Sequence, residues 1–220
     1  MLWYVSQMAA PISALVRSPA AFFSSRMERP GHILPVVILT LTGVSTLGAQ
    51  LLLASMSVIG ERLTLSYVST AFQIEIPAIT VAGALVSFGH VFLYWVVFAA
   101  IFYLLSLPFA SAGTFSSVFW LSAWGFVPWA LAGLLWLGAM IVSASSVPPP
   151  ATSAGNAAFV EQVQGTQIVE TSLLVDYLAT AWSLGLWTVL VRTVRDVRWW
   201  QAALAVGPVA AFEIAKVLVF

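Results

Sequence analysis

The sequence has no cysteine, which excludes disulfides, thiol catalysis, cysteine-ligated zinc and iron–sulfur clusters. Charge is nearly as scarce. Only 7% of the 220 residues are charged, against about 25% in a typical soluble domain. Lys plus Arg and Asp plus Glu number eight each, so no charge excess points to nucleic acid. From Ile76 to Val160 there is no Asp, Glu, Lys or Arg, and a single histidine, His90. A water-soluble fold cannot solvate a surface built from such a run. Catalytic signatures are missing too: no Gly-x-Ser-x-Gly, no His-Glu-x-x-His, no Walker lysine loop and no paired carboxylates in a helix core. No enzyme activity, no metal site and no cofactor is expected.

What the chain does have is apolar length, with 61% hydrophobic residues and ten Trp. Indole rings suit the membrane–water boundary, and a crossing helix needs about 20 apolar residues. The pattern predicts an all-α membrane protein of five transmembrane helices behind an N-terminal interfacial amphipathic segment, residues 1–32. The predicted spans are 33–59, 77–105, 115–142, 172–191 and 201–220, forming one transmembrane domain over 33–220. Ser18-Pro19 reads as a helix start, and Phe22, Phe23, Arg26 and Arg29 follow on one short helix. That helix reads as lying in the interface, with rings in the acyl boundary and guanidinium groups among phosphates; a packed cytosolic cap is the competing reading. Residues 60–73 read as a polar connection with a little interfacial helix. Residues 143–171 read as an extracytoplasmic loop, in which Val147-Pro148-Pro149-Pro150 favours an extended polyproline conformation, the Ala/Thr/Ser/Gly/Asn tract after it is flexible in composition, and 159–169 reads as a short helix.

Orientation follows from the basic residues. Arg17, Arg26 and Arg29 precede the first span, and Arg192, Arg195 and Arg198 lie between the fourth and fifth. Five crossings put all six on one side, opposite Arg62 and Lys216. The N-terminus is then cytoplasmic and the C-terminus extracytoplasmic, in the cell membrane. Arg192, Arg195 and Arg198 are candidate contacts for anionic lipid headgroups, worth about 1 kcal/mol each. Gly125 with Pro128, and Gly207 with Pro208, mark helix interruptions. Gly125, Gly133 and Gly138 are read as sites of close backbone approach, with spans 2 and 3 carrying association. His90, Glu213 and Lys216 are the intramembrane polar residues. His90 reads as a neutral imidazole bonded to a facing helix, and Glu213 with Lys216 as an ion pair at i, i+3. A polar site near His90 or Glu213/Lys216 would instead suit a small transporter or channel.

Three stretches resemble the Ypt-interacting-protein (Yip) family of five-span membrane proteins, in its prokaryotic form. Leu15-Val16-Arg17-Ser18-Pro19-Ala20-Ala21-Phe22-Phe23 looks like the family's lead-in. Gly113-Thr114-Phe115 with Trp124-Gly125-Phe126-Val127-Pro128 is similar to its Gly-aromatic-x-x-Pro pattern. Trp182-Ser183-Leu184 through Arg195-Asp196-Val197 to Ala202-Ala203-Leu204-Ala205 resembles its last two helices and their turn. The resemblance implies an integral helical bundle with a cytosolic N-terminus, and its prokaryotic members imply no settled biochemical activity; the chain itself reads as a non-enzymatic, membrane-organising or partner-binding protein. The expected partners are membrane lipids, and a second copy or another membrane protein. Eukaryotic relatives act through small GTPases; the 220 residues contain no Asp-Leu-x-Gly-Pro motif, so that partner is not expected.

Overall fold

A computed structural model describes residues 11–56, 62–66, 73–151 and 155–219. Residues 11–17 form helix α1, followed by α2 (Pro19–Ser24) and α3 (Ile33–Met56). Strands β1 (Arg62–Ser66) and β2 (Gln73–Pro77) precede α4 (Ala78–Ser106). The third long element is α5 (Phe115–Ser122), a 3-10 turn (Ala123–Phe126) and α6 (Val127–Ser146). Helices α7 (Asn156–Gln164), α8 (Gln167–Arg195) and α9 (Trp199–Val219) complete the chain. Among the described residues, four elements are long and apolar enough to cross a membrane: Ile33–Leu53, Ala82–Ser106, Phe115–Ser146 and Gln167–Arg195.

Several expectations are corrected. Where it is described, the polar connection before α4 is antiparallel strand rather than helix, with Arg62 opposite Pro77 and Leu65 opposite Ile74. The sequence carries the reason: Leu63 and Leu65, then Ile74 and Ile76, alternate with polar residues at the strand period of two. Helix α8 extends beyond the expected 172–191 at both ends. Loss of apolarity does not end a helix, and the flanking Gln, Glu, Thr and Arg residues sustain one. It stops at Asp196, whose φ is 51°. The Val197 N–H reaches back to the Arg192 carbonyl at 3.2 Å, the six-to-one closure of a Schellman end. Helix α9 is continuous through Gly207 and Pro208, so that pair does not end it. Ser18 precedes α2 but its hydroxyl makes no capping bond; the cap expectation fails there, and Pro19 at the first position stands. The first ten residues of the lead-in, and the span end at 57–59, lie outside the described residues.

The chain groups into two compact units. A terminal unit comprises Met1–Ile38, Leu93–Pro128 and Thr180–Phe220, and a central unit Leu39–Phe92 and Trp129–Ala179. In the central unit, α7 and the start of α8 supply the helix expected over 159–169, which begins at Asn156 and is interrupted at Gly165 and Thr166. Phe159, Val163 and Val169 are buried in one cluster with Ala49, Met140 and Ala144. Ser143 and Thr166 join across 2.5 Å. In the same unit the Gln50 amide donates to the Ser87 hydroxyl at 2.8 Å.

The terminal unit is organised on Trp187, which is fully buried. Phe98, Phe102 and Phe126 lie with ring centroids 5.5, 5.7 and 5.3 Å from it. Pro128 has no N–H to offer the Trp124 carbonyl, so the chain tightens there and the Val127 N–H takes it. The Trp187 indole N–H donates to the Ser122 carbonyl at 2.8 Å, and the Trp95 indole N–H to the Phe119 carbonyl at 2.7 Å.

Glycine therefore serves side chains more than backbones. Gly125 lies against the Trp187 indole and Gly133 against the Ser45 hydroxyl, while Gly138 has open space. Gly125 is buried within a single chain, so it does not offer an association face as expected. Gly125→Leu should cost about 1–3 kcal/mol of stability by overpacking and so lower the detergent unfolding midpoint, whereas Gly138→Ala should leave it unchanged. Equal midpoints for Gly125→Leu and the wild type would contradict this packing.

Candidate functional site

The candidate site is the polar end of the terminal unit, where the α8–α9 turn meets the α4–α5 turn and α2. Its centre is Arg195, which is 3% exposed. Its Nε donates to the Ser106 hydroxyl at 3.0 Å and its Nη1 to the Ala112 carbonyl at 2.8 Å. The same nitrogen also donates to the Gly113 carbonyl. The guanidinium carbon lies 4.5 Å from the centre of the Tyr103 ring, a cation–π contact. A guanidinium presents donors in a rigid fork, and here the fork ties α8 to the turn after α4. Gly113 has φ 77° and sits against the Val194 backbone, where a Cβ would overlap the carbonyl. The expectation that Arg195 meets lipid headgroups is thereby corrected: it is buried and engaged by protein.

Arg192 and Arg198 are placed differently. Arg192 holds its guanidinium carbon 4.5 Å from the Trp199 ring centre. Arg198 is exposed, and its backbone N–H donates to the Gln201 side chain at 2.8 Å. Trp199 and Trp200 are 55% and 52% exposed, and Phe109 meets Trp200 with centroids 5.6 Å apart. An open cavity of about 530 Å³ lies among Phe109, Arg192, Asp196, Arg198, Trp199 and Gln201. A second, about 350 Å³, shares Arg192 and Asp196 and is walled by Ala20, Ala21, Ser24 and Thr193. The Asp196 carboxylate accepts from the Ser111 hydroxyl at 2.8 Å. The Thr193 hydroxyl oxygen is buried with no hydrogen-bond partner.

The N-terminal segment packs onto this end. Phe22 and Phe23 are buried, not laid in an acyl boundary. Phe22 meets Trp124 edge-on at 4.7 Å, which is the packed-cap alternative. Arg26 lies 4.0 Å over the Phe22 ring, and partial burial moves its pKa down from its ordinary value. Arg29 is exposed. The Ser117 hydroxyl donates to the Met27 carbonyl at 3.0 Å.

The remaining predicted residues lie elsewhere. His90 is an exposed position of the central unit. Glu213 is 4% exposed, and its Oε2 holds the Lys216 ammonium at 2.7 Å. Its Oε1 is buried with no hydrogen-bond partner. Lys216 also lies 5.6 Å over the Tyr94 ring. No group of three His, Asp or Glu suited to a metal occurs among the described residues.

Sequence reasoning missed the difference between Arg195 and its two neighbours. A signal existed: Trp187, Leu190, Val191 and Val194 form an apolar helical stripe, and position 195 continues it. Arg195→Met should cost about 1–3 kcal/mol by leaving turn carbonyls unsatisfied, and Arg195→Lys should not restore the loss, because an ammonium lacks the planar fork. Both are read as unfolding midpoints in a denaturing-detergent titration; unchanged midpoints would contradict the clamp.

The Yip1 domain profile matches residues 13–219, nearly the whole chain and every element of this site. No curated protein and no solved structure matches the chain. With its long apolar helices, the chain is a membrane protein and belongs to the Yip1 domain family.

Proposed function

We propose that the protein spans the cell membrane five times, N-terminus in the cytoplasm and C-terminus outside, as a non-catalytic membrane-organising or partner-binding subunit. One observation carries the topology. Ala20 and Ser24 of α2 wall the same cavity as Arg192 and Thr193 of α8. Two segments at one end of a bundle are separated by an even number of crossings, and four long apolar elements lie between them. Helix α9 is then the fifth. Its 21 residues reach about 31 Å at 1.5 Å each, enough for the hydrocarbon layer. Six of the eight basic residues fall at that shared end, which the positive-inside rule assigns to the cytoplasm. The absence of a catalytic role is supported by what lines the cavities there. Guanidinium groups, rings and small side chains suit holding a charged group rather than transforming it. A second copy or another membrane protein is the partner on this reading.

A phosphatase reporter active only outside the cytoplasm tests the topology. Fusions after Arg29, Ser146 and Arg198 should be inactive, active and inactive. Opposite activities after Arg29 and Arg198 would overturn the reading.

The second reading, a small transporter or channel, is favoured by Glu213. A buried carboxylate with one oxygen unpartnered is costly inside a membrane and suits a proton or cation relay. On that reading proteoliposomes leak protons or cations and Glu213→Gln stops the leak. On the first reading, flux equals that of empty vesicles.

A further inference from the structure

We infer that the cavity between Arg192 and Arg198 binds the headgroup of a monoanionic phosphodiester lipid with a polyol head, the phosphatidylglycerol or phosphatidylinositol class. The inference rests on the membrane reading and adds to it a ligand that the family assignment does not supply. The cavity, about 530 Å³, lies within the range of small-molecule sites. Its two guanidinium groups and one carboxylate leave a formal charge of +1, which matches one phosphodiester anion. Arg192 is held in place by Trp199, 4.5 Å away. Its fork is therefore presented to a phosphate with little ordering left to do.

Asp196 decides the kind of headgroup. A bare phosphate or phosphatidic acid would meet its carboxylate in repulsion. A polyol offers hydroxyl donors to it, and the bond from Ser111 uses only one of about four lone-pair sites on a carboxylate. Gln201 lines the same cavity. In the adjoining cavity, which shares Arg192 and Asp196, the buried Thr193 hydroxyl has no partner; a longer polyol such as inositol reaches toward it. Choline offers Asp196 its charge but no hydrogen-bond donor, and the Trp199 face that would receive a quaternary ammonium already carries the Arg192 guanidinium. Three exposed aromatic side chains, Phe109, Trp199 and Trp200, surround this turn. They identify the source as a lipid rather than a soluble phosphate ester, because such rings settle at headgroup depth.

The test uses the full-length protein, delipidated in a neutral detergent, with lipid adducts followed by native mass spectrometry. Phosphatidylglycerol should bind about tenfold more tightly than phosphatidylcholine, and more tightly than phosphatidic acid. Arg192→Gln and Arg198→Gln should each weaken phosphatidylglycerol about fivefold, the value of one basic residue near a membrane surface. Arg29→Gln, exposed and outside the cavity, should not. Asp196→Asn should reverse the preference over phosphatidic acid. Arg198 is exposed, so its variant carries the test if Arg192→Gln lowers the melting midpoint. Equal binding of phosphatidylglycerol and phosphatidylcholine would overturn the site, as would equal loss from Arg29→Gln. Displacement of the lipid by millimolar glycerol 3-phosphate would overturn the lipid source. If the reporter fusions give the expected topology while the lipids fail to discriminate, the site alone falls.

Discussion

A guanidinium inside an apolar fold must find acceptors, and the carbonyls of a turn inside the same fold must find donors. Arg195 satisfies both needs at once, through Ser106, Ala112 and Gly113. The rest of this end is built outward from that clamp. With the turn fixed, the Thr114 hydroxyl accepts from the Ser117 N–H at 3.2 Å and caps α5. Ser117 then reaches the Met27 carbonyl, and the N-terminal segment is drawn onto the same surface. A short chain of polar contacts thus joins the end of α8, the α4–α5 turn, the start of α5 and the lead-in.

Elsewhere the solvent is lipid, and the structure follows that constraint. Backbone groups in a bilayer must be paired within the protein, and the spanning elements here are helices. The interruption at Pro128 is repaired by a local 3-10 turn, and an indole N–H reaches a carbonyl just before it. Side chains that would be anomalous on a soluble protein face outward. Leu85, Leu174 and Leu178 are 59%, 62% and 71% exposed. Against that background a buried Glu213 with one unpartnered oxygen is an exception, and it is the residue on which the transporter reading depends.

The membrane class, the apolar helices and the family were legible because run length and the order of motifs survive without knowledge of packing. Other features were not. An aromatic pair beside arginine has the same composition whether it lies in lipid or under a helix, so the sequence leaves the interface and the packed cap both open for Phe22 and Phe23. Three arginines at intervals of three look equivalent until helix phase is considered. Arg195 continues the buried stripe of Trp187, Leu190, Val191 and Val194, whereas Arg198 lies beyond the helix end. Glu213 likewise continues the buried stripe of Ala202, Ala205, Val206 and Val209. The paired strands before α4 were readable in their alternation, but a neighbouring apolar run made helix the default. Gly125 was read by its size and not by its filler, since nothing in the sequence pairs it with Trp187, 62 positions on.

The central claim is that the lead-in and the α8–α9 turn share one end of the protein around Arg192 and Arg195. With no native cysteine, cysteines placed at Ser24 and Asp196, exposed positions that wall one cavity, are free of background. A short, membrane-impermeant bifunctional thiol reagent should cross-link them within one chain, from the cytoplasmic side only. Labelling of the two positions from opposite sides of the membrane would contradict the account.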